Sequence, residues 1–227
     1  MYSRSINEDT TLNFGVSGKL WHGVLVMKDR ETGSLWTQLD GRALEGELEG
    51  DLLEHVESTW TTWSAWVEAH PDTLVLAPVG DDDAQADEVR ASAYAGYFAD
   101  PEALFLPELG EGLDLLGPKD IILGLKHGEA TLAVEEVLVR EAGVLQVFVG
   151  SEGHVLLEDP ATGTITAHVT RLDGLPLFID RRTATGLLHD AWNDLQVAPT
   201  DLERRRVDRV YWYAWKGTHA GTEALAR

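Results

Sequence analysis

Residues Trp63 to Ala77, WSAWVEAHPDTLVLA, return at Trp212 to Ala226 as WYAWKGTHAGTEALA. Both copies read W-x-A-W-x-x-x-H-x-x-T-x-x-L-A. In the first, Trp60, Trp63, Val67 and His70 lie three or four residues apart, Ser58 or Thr59 can cap the start, and Pro71 ends the run; this spacing predicts a short amphipathic helix. The second, within VDRVYWYAWKGTH, repeats the helix with Trp212 and Trp215 and ends near Gly217. A short helix cannot bury an indole stripe alone, so each copy is expected to lay its tryptophans on the sheet of its own half. An indole so buried is worth about 3–5 kcal/mol by large-to-alanine precedent.

Around the repeat the chain reads as strands. TLNFGV, LWHGVLVMKD and SLWTQL are separated by SG and RETG turns. Asp29 ahead of Arg30-Glu31-Thr32-Gly33 predicts a tight hairpin, because its carboxylate can accept backbone N–H groups while Gly33 takes positive φ. A similar turn is expected at Asp159–Gly163 and a looser one at Asp180–Thr183. From Pro118 come DIILGLK, a His127-Gly128 turn, ATLAV, a short helix around VEEVLVREA, then VLQVFVG and HVLLED. The expectation is an α+β chain, mainly β, built as two related β-sheet modules each carrying a short Trp-rich helix, an internal duplication. Residues 1–79 form a first module, incomplete at its N-terminus; 80–117 form an acidic and aromatic crossover; 118–227 form the second module.

Composition narrows the functions. Against 18 Lys plus Arg stand 39 Asp plus Glu, a formal charge of −21, and that field repels phosphate backbones and anionic membranes. Only five of the basic residues are lysines, which reads as adaptation to high salt, where self-repulsion is screened. With no cysteine, thiol chemistry, disulfides and thiolate zinc sites are excluded. No apolar run approaches the roughly 20 residues of a membrane span, and MYSRSINEDT is no signal peptide, so a cytoplasmic protein is expected.

One long stretch carries a resemblance. FGVSGKLWHGVLVMKDRETGSLWTQLDGRALEGELEGDLL, followed by TTWSAWVEAHPDTLVLA, resembles the prokaryotic domain of unknown function 3179 family, and weaker similarity runs to the end of the chain. The resemblance implies fold more than activity. Typical members resemble a longer chain opening with an H-E-x-x-N-D and a C-P-L-C segment; this sequence begins after both, and its corresponding later strand, VFVGSEGHVLL, has Val and Gly in place of thiols. Met27, Asp29, Trp36 and Gln38 match the family's characteristic stretch.

Those four residues, with Ser17, His70 and His219, are the candidate ligand-binding set. Met27, Trp36 and Gln38 can line a pocket on one sheet face with Gln38 as its polar contact, although such residues also serve as cross-strand partners. His70 and His219 end the two Trp helices and could converge on one ligand, while a histidine in a last helical turn is equally explained by the free carbonyls and the dipole. Ser17 in G-V-S-G lacks the strand-to-helix setting of a nucleophile elbow. The histidines show no metal-ligand spacing, Asp81–Asp83 lack the rest of a calcium loop, and no phosphate-binding loop occurs, so no metal or cofactor is expected.

The set points to a non-catalytic ligand-binding or assembly protein, with an unknown small ligand and either a homo-oligomer or a separate partner chain held through an exposed sheet edge. The alternatives are an enzyme with a carboxylate or His site at the module junction, and half of a split redox or metal-binding protein whose cysteines lie in a missing module.

Overall fold

The computed structural model describes residues 1–75, 94–104 and 115–227. The acidic run at 80–88 lies outside these residues. The protein is mainly β. An N-terminal antiparallel sheet runs in the order β1 (Phe14–Trp21), β2 (Val24–Asp29), β3 (Leu35–Thr37), β4 (Ala43–Glu45). The Asp29 turn joins β2 to β3 as the sequence predicts: Asp29 Oδ1 accepts from the backbone N–H of Thr32 (2.6 Å) and Gly33 (3.1 Å), and Gly33 sits at φ +77°.

The indole Nε1 of Trp36 donates to Asp29 Oδ2 at 2.8 Å, and both side chains are fully buried. Leu12, Trp36, Ala43 and Leu53 form this sheet's small core, with Phe14 edge-on to Trp36. The first Trp helix, α1 (Trp63–Ala69), follows, capped by Thr62 Oγ1 accepting from Ala65 N, and Trp60 lies outside it. Residues 73–75 after it are not a strand. A second short helix is α2 (Ala95–Ala99).

The later chain stacks three layers. β5 (Ile121–His127) and β6 (Ala130–Glu135) form a hairpin, then come α3 (Glu136–Ala142), β7 (Val144–Val149), β8 (Glu152–Glu158) and β9 (Ile165–Val169). A two-residue ribbon, β10 (Arg171–Leu172) and β11 (Leu175–Pro176), leads to a three-stranded sheet of β12 (Ile179–Arg182), β13 (Leu188–Asp190) and β14 (Leu195–Val197). The turn expected at Asp180–Thr183 lies slightly later: residues 180–182 are strand, and Thr183–Gly186 makes the turn, where Gly186 takes φ +85°.

β15 (Arg204–Arg205) closes a sheet in the order β15-β9-β8-β7. β16 (Asp208–Tyr211), the second Trp helix α4 (Trp212–Thr218) and β17 (Glu223–Leu225) complete a sheet in the order β16-β5-β6-β17.

Strand periodicity of two explains how β5 and β6 serve two cores at once. Leu123, Leu125, Leu132 and Val134 face the β7–β9 sheet, with Val139 of α3 and Leu156 between the layers. Ile122 and Ala133, on the opposite face, meet Trp212 and Trp215 of α4 together with Leu39 from the N-terminal part. The far side of the β7–β9 sheet packs Val155 and Leu157 on Ile179, Leu188 and Val197.

The two Trp helices differ in cover. Trp212 and Trp215 are buried, as expected, but Trp63 and Trp66 are 60% and 40% exposed and α1 buries no residue. Laying the first pair on its own sheet, as the sequence suggests, is therefore corrected. β1–β4 already spend their packing face on Trp36 and Leu53.

Candidate functional site

α4 is wedged between the N-terminal sheet and the later sheets. On one side its indoles cover β5 and β6; on the other Tyr213 lies against Gly23 and Gly217 against His22, at the tip of the β1–β2 hairpin. A Cβ at Gly23, which has φ +77°, would sit 2.3 Å from the Tyr213 ring, so only glycine allows this approach. Asp40 adds a polar bolt. It pairs with Lys126 of β5, and its Oδ1 lies 3.5 Å from His219 Nε2. Burial works against the Asp40 charge, but bonding and attraction from His219 and Lys126 outweigh it and hold this carboxyl below the usual carboxylate range.

Next to this seam opens a cleft of about 1550 Å³. The N-terminal part supplies Tyr2, Arg4, Met27, Gln38 and the segment Glu57–Thr62; the later part supplies Arg140, Arg204, Arg205, Arg206 and Arg209. Six arginines thus line one cleft in a chain with 18 basic residues in all, against two lining acids, Glu57 and Asp208. Three of the arginines are paired with acids outside the lining: Arg140 reaches Glu136 and Glu158, Arg205 reaches Glu203 (2.6 Å) and Glu152 (3.3 Å), and Arg209 reaches Glu136 (2.8 Å). Arg204 instead pairs with Glu57 across the mouth, and its Nη2 donates to Thr59 Oγ1.

Arg206 closes the floor. Its guanidinium donates to Asp208, to the Tyr2 hydroxyl (2.8 Å) and to Leu39 O (2.5 Å), while Tyr2 also donates to Leu39 O. Burial pushes the Tyr2 phenol up to about 12, with Arg206 pulling the other way, so Tyr2 is a neutral donor at any ordinary pH. Burial lowers the pKa of His55, at the same wall, with Arg206 adding to the effect. The arrangement can hold negative charge by multidentate guanidinium contacts. Among the described residues no group of three or more His, Asp or Glu could hold a metal ion.

The structure divides the predicted site residues. Met27 and Gln38 line the cleft. Trp36, Met27's cross-strand partner, and Asp29 lie beneath in the core, bonded to each other. Burial raises the Asp29 carboxyl, but bonds from Trp36, Thr32 and Gly33 more than compensate and keep it ionised below its ordinary value.

Ser17 sits in the β1 irregularity, its hydroxyl donating to Val26 O and accepting from Lys19 N, a local structural use. His70 packs at a tilt on Trp66 and His219 stacks on Trp215, and among the described residues no contact joins the two histidines. The wall arginines escaped the sequence reading although E-R-R-R-V-D-R at 203–209 is the densest basic run in an acidic chain.

Comparison with known families bears on this architecture. The family model described as "Protein of unknown function (DUF3179)" matches residues 1–222. The chain belongs to the DUF3179 family. No curated protein and no solved structure matches it. The DUF3179 match spans both the N-terminal sheet and the later sheets, so the cleft lies inside the family region and every wall residue named above belongs to it.

Proposed function

We propose that the chain is a non-catalytic ligand-binding protein adapted to high salt, and that its cleft takes an elongated anionic ligand bearing carboxylate or phosphate groups. The observation that carries this reading is the six-arginine lining in a protein of formal charge −21. Elsewhere such a surface repels anions; here six arginines line one cleft beside two acids, Glu57 and Asp208. A volume of about 1550 Å³ exceeds the roughly 300–1000 Å³ of a drug-sized site, which favours an extended ligand. Gln38 supplies an uncharged polar contact, and Met27 and Leu53 supply apolar wall.

A non-catalytic role fits the chemistry of the lining, where Asp208 is paired with Arg206 and Glu57 is exposed beside Arg204. Neither stands as a desolvated base aimed at an opening.

The test is thermal unfolding in molar potassium chloride, where attraction to exposed charge is screened. Citrate, tripolyphosphate and oligo-glutamate are compared with uncharged sorbitol. A matching anion at about 100 times its Kd stabilises by about 2.7 kcal/mol. That gain shrinks in Arg204→Gln and Arg4→Gln, whose side chains reach only exposed partners. Equal shifts with sorbitol, or anion shifts that survive both substitutions, would sink the reading.

A further inference from the structure

The two copies of the tryptophan motif share a local build and differ in what they grip. In both, a seven-residue helix ends at a histidine of nearly identical backbone, φ −133° and ψ 69° at His70, φ −131° and ψ 70° at His219. In both, the second indole donates its N–H to the threonine seven residues on at 2.9 Å (Trp66 to Thr73, Trp215 to Thr222). Each indole also packs on its histidine, with ring centroids 4.2 and 4.0 Å apart.

The later copy uses this build to hold a β-hairpin. β16, entering α4, pairs antiparallel with β5; β17, leaving it, pairs parallel with β6. Between these two edge strands Trp215 stands on the hairpin face over Gly124, where a Cβ would lie 2.3 Å from Trp215 Cζ3. Ala133 is the cross-strand partner of Gly124, and the Lys126 ammonium sits 5.7 Å from the Trp215 ring. Strand, helix and strand together form a clamp for a two-stranded ribbon whose centre is a glycine.

The earlier copy presents the same parts uncovered. Trp60, Trp63 and Trp66 are 68%, 60% and 40% exposed, and Leu74 and Val75, at the place of β17, are 94% and 67% exposed. From Ser58 to Val75 the chain carries Glu68 and Asp72 and no Lys or Arg.

We propose that residues 56–75 clamp a β-hairpin of a partner chain, an antiparallel ribbon with glycine under Trp66 and a lysine two residues further along the same strand. Residues 73–75 add as an edge strand, and the lysine meets the indole face beside Glu68 and Asp72, a complementary charge. A second copy of this chain does not supply the ribbon, because its Gly124 hairpin is already held by β16, α4 and β17 of its own chain. Trp60, Thr62 and Trp66 also stand in the lining of the arginine cleft, so the two surfaces adjoin, but the clamp is argued from the tryptophan motif and does not depend on the anion reading.

The test uses the full chain in molar salt and a covalently closed peptide of residues 121–135, closed because an isolated hairpin is marginal in water. Calorimetric titration is expected to show saturable one-to-one binding, with a blue shift of tryptophan emission. Trp66→Ala, at a half-exposed site, weakens binding at least about thirtyfold, the scale of an interface hot spot. Leu74→Asp weakens it independently by charging the added edge, and a Gly124→Val peptide binds neither variant nor parent. Gly15→Ala, outside both the cleft lining and residues 56–75, leaves peptide affinity unchanged. Absence of binding, or equal affinity of parent, Trp66→Ala and Leu74→Asp for the peptide, overturns the proposal.

Discussion

Trp66 and Trp215 form a natural matched pair, since the motif gives both a histidine four residues on and a threonine seven residues on, while tertiary structure gives them different cover. Each donates to a threonine at 2.9 Å and packs on a histidine, so truncation to alanine removes the same local contacts from both. Trp215 is fully buried against Gly124, whereas Trp66 is 40% exposed. A tryptophan buries about 150–250 Å², so the difference in cover is on the order of 100 Å², or about 2.5 kcal/mol at 25 cal/mol per Å². Trp215→Ala also leaves a cavity against a rigid sheet, placing its total cost at about 3–5 kcal/mol.

Urea unfolding of both variants in molar salt, followed by far-UV circular dichroism, measures the gap directly. Trp215→Ala is expected to lose at least about 2 kcal/mol more than Trp66→Ala, which in a chain of this size lowers Tm by a further 4–8 °C or so. Equal losses, or a larger loss from Trp66→Ala, would refute the reasoning, because Trp66 would then be covered in the free protein as Trp215 is.

Three further outcomes follow from particular contacts. Gly124→Val should cost about 1–3 kcal/mol or more by overpacking against Trp215, while Gly15→Ala, whose added Cβ meets nothing within 4 Å, should change stability by under about 0.5 kcal/mol in the same denaturant series. Asp29→Ala strips the acceptor from Trp36 Nε1 and from the backbone N–H of Thr32 and Gly33, and a loss of about 3–5 kcal/mol is expected by calorimetry; retention of parental stability would show that water replaces the carboxylate.

His154 gives the pH dependence. It is fully buried, its Nδ1 has no hydrogen-bond partner and its Nε2 lies 3.2 Å from Glu152 Oε2, and desolvation depresses its pKa against the opposing pull of Glu152. The unfolded chain then takes up a proton that the fold refuses, so stability falls as pH drops below about 6.5. His154→Leu should flatten that fall, and an unchanged profile would assign the titration elsewhere, His168 being the next depressed imidazole.

Much of the local structure was legible in the chain. Asp29 ahead of Thr32-Gly33, and Asp159 ahead of Thr162-Gly163, determine their turns because the donors and acceptor lie within five residues of each other. The repeated W-x-A-W-x-x-x-H-x-x-T likewise determines one helix-and-cap conformation twice, since indole, histidine and threonine meet along a single short segment. The place of the cleft was not legible. Tyr2, Gln38 and Arg206 come together across some 200 positions, through the packing of α4 against the β1–β2 hairpin, and no periodicity records such a meeting.

Sequence by itself therefore set the turns, the β-rich class, the family and the form of each tryptophan motif, all of which depend on near neighbours or on pattern. Only the tertiary structure decided which motif is buried. Gly124 offers one indole a seat because it has no side chain and lies on a sheet face left open between β16 and β17, whereas the face of β1–β4 is already filled by Trp36. Burial is a property of what stands opposite, and segments that share one motif acquire different energies when they face different surfaces.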